Sequence, residues 1–388
     1  MWDKELTDDE RHWREICRGF AAEVIEPNYR RYDQSNSFPE AIYNDAIERG
    51  LTRFAIPTEY GGLGQSKRCM IICGELMATV CGPSTFCVGF NHGSLRPVFA
   101  AGNEDQKREF IRGSIVGNKF VSLCLTESAQ SASSLLTIKT RADKTDRGWA
   151  ITGNKVMTGN GCVADLFLVL AHAYVDGQSR GPTFFAVPKS DAVMVGPNSD
   201  KLGFRCVSTP AIEFDGAEVS DDHRIGELGH APEILLDVMA HMRISGAAVM
   251  LGIVIGAVKA VLPWVESRTI AAGNALQDLS HIQLQLGDFW SEVLAVRRLI
   301  WHAADVFDAG GNPSTETAVA KLKASELASR ATGDILQMYG WRGIDNEYAI
   351  QKRYRDARVT SIFEGTNEIL RVNLFRELQK RARDGGDL

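Results

Sequence analysis

The spacing of apolar residues is helical from the start of the chain. Thr7-Asp8-Asp9-Glu10 has the Thr-x-x-Glu form of a capping box, and Trp13, Ile16, Cys17, Phe20 and Val24 follow on one face of a 3.6-residue repeat. An amphipathic first helix is predicted. The helical texture runs on to about Gly117, punctuated at Pro39, at Pro57 to Gly64 and at Gly82-Pro83, so residues 1–118 are expected to form an all-α domain. Near Lys119 the period changes. Phe120 to Leu125, Leu136 to Ala142, Trp149 to Ile151, Asp165 to Ala171, Phe184 to Val187 and Ile212 to Phe214 are short β-rich runs split by Gly, Asp, Asn and Pro clusters. They predict a compact antiparallel β domain over 119–228. After about Gly229 long helical patterns return at Ile234 to Ser267, Leu276 to Ala309, Thr315 to Tyr339 and Glu368 to Ala382, predicting an all-α C-terminal domain over 229–388.

The order α, β, α makes this a multidomain α+β chain and disfavours a doubly wound nucleotide fold, which needs alternating strands and helices. The most apolar run, Ile244 to Val258, stops at Lys259 and is shorter than the roughly 18 residues of a membrane span. A buried core helix is expected there, and no membrane association. Composition adds exclusions. With 388 residues the chain should hold two or three packed units, and 43 Lys plus Arg against 49 Asp plus Glu leaves no basic excess for a nucleic-acid partner. Eight cysteines lie scattered in apolar stretches, as expected of reduced, mostly buried thiols. Cys69 and Cys73 share a helix face, but no Cys/His pair elsewhere has the spacing to complete a zinc site, so no metal is expected. The acidic N-terminus lacks a signal core or an Arg/Ser-rich leader, and the expected location is the cytoplasm.

Motifs for common chemistries are missing. No Gly-x-Gly-x-x-Gly follows a strand, Gly113 to Lys119 lacks the ending of a phosphate loop, and no metalloprotease or serine-hydrolase constellation stands where it could act. Four strings remain: Ile56-Pro57-Thr58-Glu59-Tyr60-Gly61-Gly62-Leu63-Gly64, Leu125-Thr126-Glu127, Lys201-Leu202-Gly203-Phe204-Arg205, and Tyr354-Arg355-Asp356-Ala357-Arg358 leading to Ile362-Phe363-Glu364-Gly365-Thr366-Asn367-Glu368-Ile369. In this order they resemble the acyl-CoA dehydrogenase family over nearly the whole chain.

The resemblance implies an all-α, β, all-α build whose C-terminal helices form a four-helix bundle, FAD as cofactor, and α,β-dehydrogenation of an acyl thioester. That chemistry needs a carboxylate aimed at the α proton and an oxidised flavin to accept the β hydride. Glu364 is implied as the base, its own N–H helping to bind the thioester carbonyl. Alone, Glu364 would read as a loop acid. Some relatives carry the base on the long helix just before an arginine; here Ala240-His241-Met242-Arg243 has no acid, leaving Glu364. Arg243 aligns with an arginine at the substrate or coenzyme A mouth, or else makes a helix-surface salt bridge. Gly365 keeps the loop narrow, and Arg96 either faces the acyl pocket or is solvated. Leu125, Thr126, Met157 and Gly159 are implied along the flavin, and Gln337, Gly340, Trp341, Thr366, Glu368 and Arg268 toward the adenine and pyrophosphate, the adenosine half reaching a neighbouring subunit. A homo-oligomer, a tetramer by resemblance, is expected, with an electron-transfer flavoprotein or oxygen as acceptor.

Four departures modify this. The usual Thr-Glu-Pro-x-Ala-Gly-Ser-Asp reads Thr126-Glu127-Ser128-Ala129-Gln130-Ser131-Ala132-Ser133, and Met157-Thr158-Gly159-Asn160 replaces a Trp-Ile-Thr-Asn segment beside the flavin. Trp341 stands where a second glycine is expected, and Arg268 matches its motif only with a one-residue slip. These changes open the thioester carrier to be coenzyme A or a carrier protein. They also leave two alternatives, a flavin monooxygenase on the same fold, which Glu364 argues against, and a relative that binds no flavin.

Overall fold

The computed structural model describes residues 4–128, 137–270 and 273–385. The predicted capping box opens α1 (Asp8–Phe20): Thr7 Oγ1 accepts from the Glu10 N–H at 3.1 Å, and the Glu10 carboxylate accepts from the Thr7 N–H at 2.8 Å. Helices α2 (Glu26–Ser35), α3 (Glu40–Glu48), α4 (Lys67–Ser94), α5 (Arg96–Ala101), and the short α6 (Glu104–Gln106) and α7 (Gly113–Val116) complete the helical N-terminal region. Pro83 cannot donate a helix hydrogen bond, and α4 breaks beside it, with Cys81 at φ −149° and ψ 107°. The break folds α4 back: Lys67 and His92, near its opposite ends, both reach the ring of His241.

The middle region is one eight-stranded sheet of β1 (Val121–Cys124), β2 (Arg141–Thr145), β3 (Gly148–Lys155), β4 (Leu166–Val175), β5 (Gln178–Pro188), β6 (Val193–Val195), β7 (Ile212–Val219) and β8 (Arg224–Ile225). Its order is β6-β7-β3-β2-β4-β5-β8, with β1 also paired to β4. The sheet is mixed where a purely antiparallel one was expected, because β1 and β2 both run parallel to β4. Alternation along a strand reports which face is buried and says nothing of a neighbour's direction. Alternate residues of β4 and β5 feed two cores. Leu166, Leu168, Leu170, Phe184 and Ala186 pack toward the N-terminal helices, while Phe167, Val169, Phe185 and Val187 join Trp149, Ile151 and Phe214 on the other face.

The chain then returns to helix with α8 (Ala231–Ser267), α9 (Ser280–Asp308), α10 (Ser314–Met338), α11 (Ala349–Thr360) and α12 (Asn367–Arg383). α8 packs against α4, α9 and α10, so its apolar residues from Ile244 to Val261 sit in the largest core. By length and composition α4 with α5, and α8, could each cross a membrane, but most of each apolar stretch is buried within the protein, as expected of core helices. The cysteines are unpaired, and all except the partly covered Cys162 are buried.

Candidate active site

The loop between α11 and α12 is built by two successive left-handed residues, Glu364 at φ 58° and Gly365 at φ 90°. Glycine adopts this conformation freely and glutamate does so at a cost. Thr366 then caps α12, its Oγ1 accepting from the Ile369 N–H at 3.4 Å. Neighbouring helices clamp the loop. Arg243 of α8 donates Nε–H to the Glu364 carbonyl at 3.2 Å, and Lys321 of α10 donates from Nζ to the Gly365 carbonyl at 2.9 Å and to Asn367 Oδ1 at 3.1 Å. With its backbone held, Glu364 lays its carboxylate against α8 at Gly246, where a Cβ would overlap the carboxylate itself.

Glu364 Oε2 is buried without a hydrogen-bond partner. Burial pushes this carboxyl up to about 8, against the opposing pull of Lys321, Arg243 and Lys67. Lys321 is pushed down to about 8, also by burial. Glu364 lines a cavity of about 90 Å³ whose wall is mainly apolar, from Met70, Met77, Phe86, Phe90 and Val249, with a polar stretch at His92, His241 and Ser245. A single water needs roughly 10–15 Å³ of such space, so the cavity holds several waters or a short chain that displaces them.

Leu125 and Thr126 leave β1 half-buried, and the Thr126 carbonyl accepts from the Val156 N–H at 2.8 Å. Glu127 anchors this turn. It accepts from the Lys139 and Thr140 N–H groups at 2.8 and 2.9 Å, from Thr140 Oγ1 at 2.7 Å, and from the fully buried Lys155 Nζ at 2.9 Å. The rewritten stretch Ala129 to Ser133 lies outside the described residues. Met157 is left-handed and 53% exposed beside buried Thr158 and Asn160, whose Oγ1 and side-chain amide have no hydrogen-bond partner. The exposed apolar side chain of Met157 fits a surface that a ring-bearing cofactor covers. Gly159 lies under the ring of Phe90, a cavity residue, with no room for a Cβ.

The third and fourth strings meet in space. Gly203 presses on the Arg355 carbonyl where a Cβ would collide, and the Phe204 N–H donates to Asp356 Oδ1 at 2.8 Å. Arg355 in turn donates to the Leu202 carbonyl at 2.9 Å, and Phe204 and Phe363 pack ring to ring at 5.2 Å beside the Glu364 loop.

Other candidates lie apart. Gln337, Gly340 and Trp341 are exposed at the end of α10, and sixteen residues of helix from Lys321 to Gln337 span roughly 24 Å. Arg268 ends α8, its guanidinium 6.0 Å from the Trp264 ring, and Glu368 is exposed in the first turn of α12. Arg96 neither lines the cavity nor is solvated. Asp237 takes its Nε and Nη2 at 2.9 and 2.7 Å, so the guanidinium is spent on an ion pair behind the cavity's polar stretch. Arg243 is engaged with the Glu364 loop and makes no helix-surface bridge among the described residues. Sequence reasoning missed Gly246, Lys321, Lys155, Lys67 and His92. Only Gly246 carried a local signal, as one of three glycines, with Gly252 and Gly256, inside an apolar helical run.

A helical, sheet and helical frame that holds an unmatched buried carboxylate on an apolar cavity defines a protein equipped to take a proton from a largely apolar molecule. The chain matches the acyl-CoA dehydrogenase N-terminal domain over residues 7–118, the middle domain over 122–217 and the C-terminal domain over 233–379. It is 31% identical to the short-chain specific acyl-CoA dehydrogenase of Sus scrofa mitochondria, over 98% of this chain and 92% of that protein. The structure of butyryl-CoA dehydrogenase from Megasphaera elsdenii superposes with a TM-score of 0.90 at 26% identity, covering 96% of this chain and 99% of that one. A prolyl acyl carrier protein oxidase, AnaB, shares the fold with a TM-score of 0.90 at 22% identity, over 96% and 99% of the two chains. The chain belongs to the acyl-CoA dehydrogenase family, flavin-dependent oxidoreductases that act on CH–CH bonds.

Proposed function

We propose that this protein binds FAD noncovalently and desaturates an acyl thioester between Cα and Cβ, with Glu364 as the base. The observation that carries the reading is the Glu364 carboxylate itself, clamped through its backbone, resting on Gly246, unpartnered at Oε2 and facing the cavity. A base whose carboxyl titrates near 8 is a stronger proton acceptor than a solvated glutamate, mostly protonated at neutral pH and ionised increasingly as pH rises toward and past 8. Arg243 and Lys321 hold the loop and supply positive charge that favours the ionised form. The Glu364 N–H is proposed to bind the thioester carbonyl, stabilising enolate charge as the proton leaves.

When bound, FAD supplies the acceptor for the β hydride. Leu125, Thr126, Met157 and Gly159 would hold the flavin side, and Thr366 and Glu368 the pyrophosphate side. The exposure of Gln337, Gly340 and Trp341 and their distance along α10 support a role toward a neighbouring subunit's adenosine, with Arg268, in a homotetramer. Unpaired cysteines support a cytoplasmic location. The thioester is carried by coenzyme A or a carrier protein, and electrons leave to an electron-transfer flavoprotein or oxygen.

Anaerobic titration of the purified holoenzyme with acyl thioesters tests this. Flavin absorbance should bleach in the wild type, and Glu364→Gln should keep FAD while bleaching roughly 10² to 10⁴-fold more slowly. Bleaching by the variant at the wild-type rate places the base elsewhere; a protein with no flavin, and none gained on adding FAD, ends the reading.

A further inference from the structure

A second recess lies on the opposite face of α4 from the Glu364 cavity. Ile71, Cys73 and Met77 line that cavity, whereas Ile72, Leu76 and Thr79, half a turn round the helix, wall a separate groove with Ile255 and Val258 of α8 and Leu286 of α9. The groove encloses about 540 Å³, within the roughly 300–1,000 Å³ of small-molecule sites. Leu262 and Trp290 stand at its edge 50% and 46% exposed, so the apolar wall is open to solvent.

Its charge is one-sided. Glu75 is the one acid among its described lining residues, and Arg297 holds it: Nε donates to the two carboxylate oxygens at 3.1 and 3.0 Å, and Nη2 to Oε1 at 2.5 Å. That pair is neutral. Arg14 of α1 and Lys259 of α8 add two further positive charges to the lining. Lys259, where the apolar run of α8 stops, makes no hydrogen bond or ion pair among the described residues. Partial burial, and then repulsion by Arg18 and Arg14, pushes its ammonium down, and Glu75 only partly offsets this. An anion brought to this rim relieves the repulsion.

We infer that this groove binds a free fatty acid, its carboxylate at Lys259 and Arg14 and its chain along Ile255, Leu262, Leu286 and Trp290. The inference goes beyond the proposed function and does not depend on it. Two cations beyond the neutral pair suit a single carboxylate rather than a multiply charged phosphate. A neutral head forgoes the ion pair, and a cationic one adds to the repulsion.

Calorimetry on the purified full chain tests this, with decanoate, 1-decanol and decyltrimethylammonium as probes below their micellar concentrations. Decanoate should bind most tightly and the cation most weakly. Lys259→Glu should weaken decanoate roughly tenfold or more, because it sets like charges together, and leave decanol within about twofold. Trp290→Ala should weaken both, with melting temperature monitoring the fold; should it misfold, Leu262→Ala at the same edge replaces it. Decanoate affinity unchanged by substitutions at the rim and the edge places the ligand elsewhere, the Glu364 cavity included, and overturns the inference. Decyltrimethylammonium binding as tightly as decanoate overturns it too. So does a wild type that binds no decanoate; if Trp290→Ala then dissociates the assembly in sedimentation, the occupant is a second copy of this chain.

Discussion

Glu127 and Glu364 are two buried carboxylates of opposite character. Around Glu127, burial alone would raise the carboxyl, but the Lys139 and Thr140 N–H groups, the Thr140 hydroxyl and Lys155 outweigh it and bring it down to about 2. Around Glu364, Arg243 and Lys321 donate to loop carbonyls rather than to Oε2, which has no hydrogen-bond partner, and burial wins, lifting the carboxyl to about 8. A carboxylate whose lone pairs are filled fixes a turn; one left bare keeps the capacity to accept a proton.

The difference can be broken most severely at its paired end. Lys155→Met leaves Glu127 buried without its cation and should lower unfolding stability by about 3–5 kcal/mol in a denaturant titration. At the bare end, Gly246→Ala should force the Glu364 carboxylate off α8 and slow flavin bleaching at least roughly tenfold, with FAD retained. Unchanged bleaching would show that Gly246 does not set the position of the proposed base, Glu364.

The pH dependence of stability sharpens the contrast with a smaller effect. The raised Glu364 binds more protons folded than unfolded between about pH 4.5 and 8, so its contribution is present below that window and is lost as pH rises through it. The lowered Glu127 has the opposite sign, its contribution being lost as pH falls from about 4.5 toward 2. Glu364→Gln should therefore melt higher than the wild type at pH 8 by about 2–4 °C, with the gap closing toward pH 4.5. A gap that widens on acidification would contradict the assignment of a raised carboxyl.

Helix periodicity and the Thr7 capping box made most of the helical regions readable from sequence, because each signal is local. β6 and β8, only three and two residues long, carry too few alternations to read, and strand direction has no local signature. Glu364 was legible because its neighbours spell a family string. Lys67, His92 and Lys321 were not: each acquires its role from a residue over forty positions away, in the case of Lys321 through the Gly365 carbonyl, and for Lys67 and His92 through the fold-back of α4 onto His241. Arg96 shows the converse, a conspicuous arginine in an apolar run that the fold assigns to Asp237.

The left-handed backbone at Glu364 sets two selections against each other. A glutamate there carries a conformational cost of about 1 kcal/mol or more that glycine avoids and asparagine tolerates better. A library randomised at this codon and sorted for heat tolerance alone should drift to Gly or Asn, whereas one sorted for substrate turnover should return Glu. Sequencing both pools would read out, in one experiment, what the polypeptide would prefer at this position and what its chemistry demands.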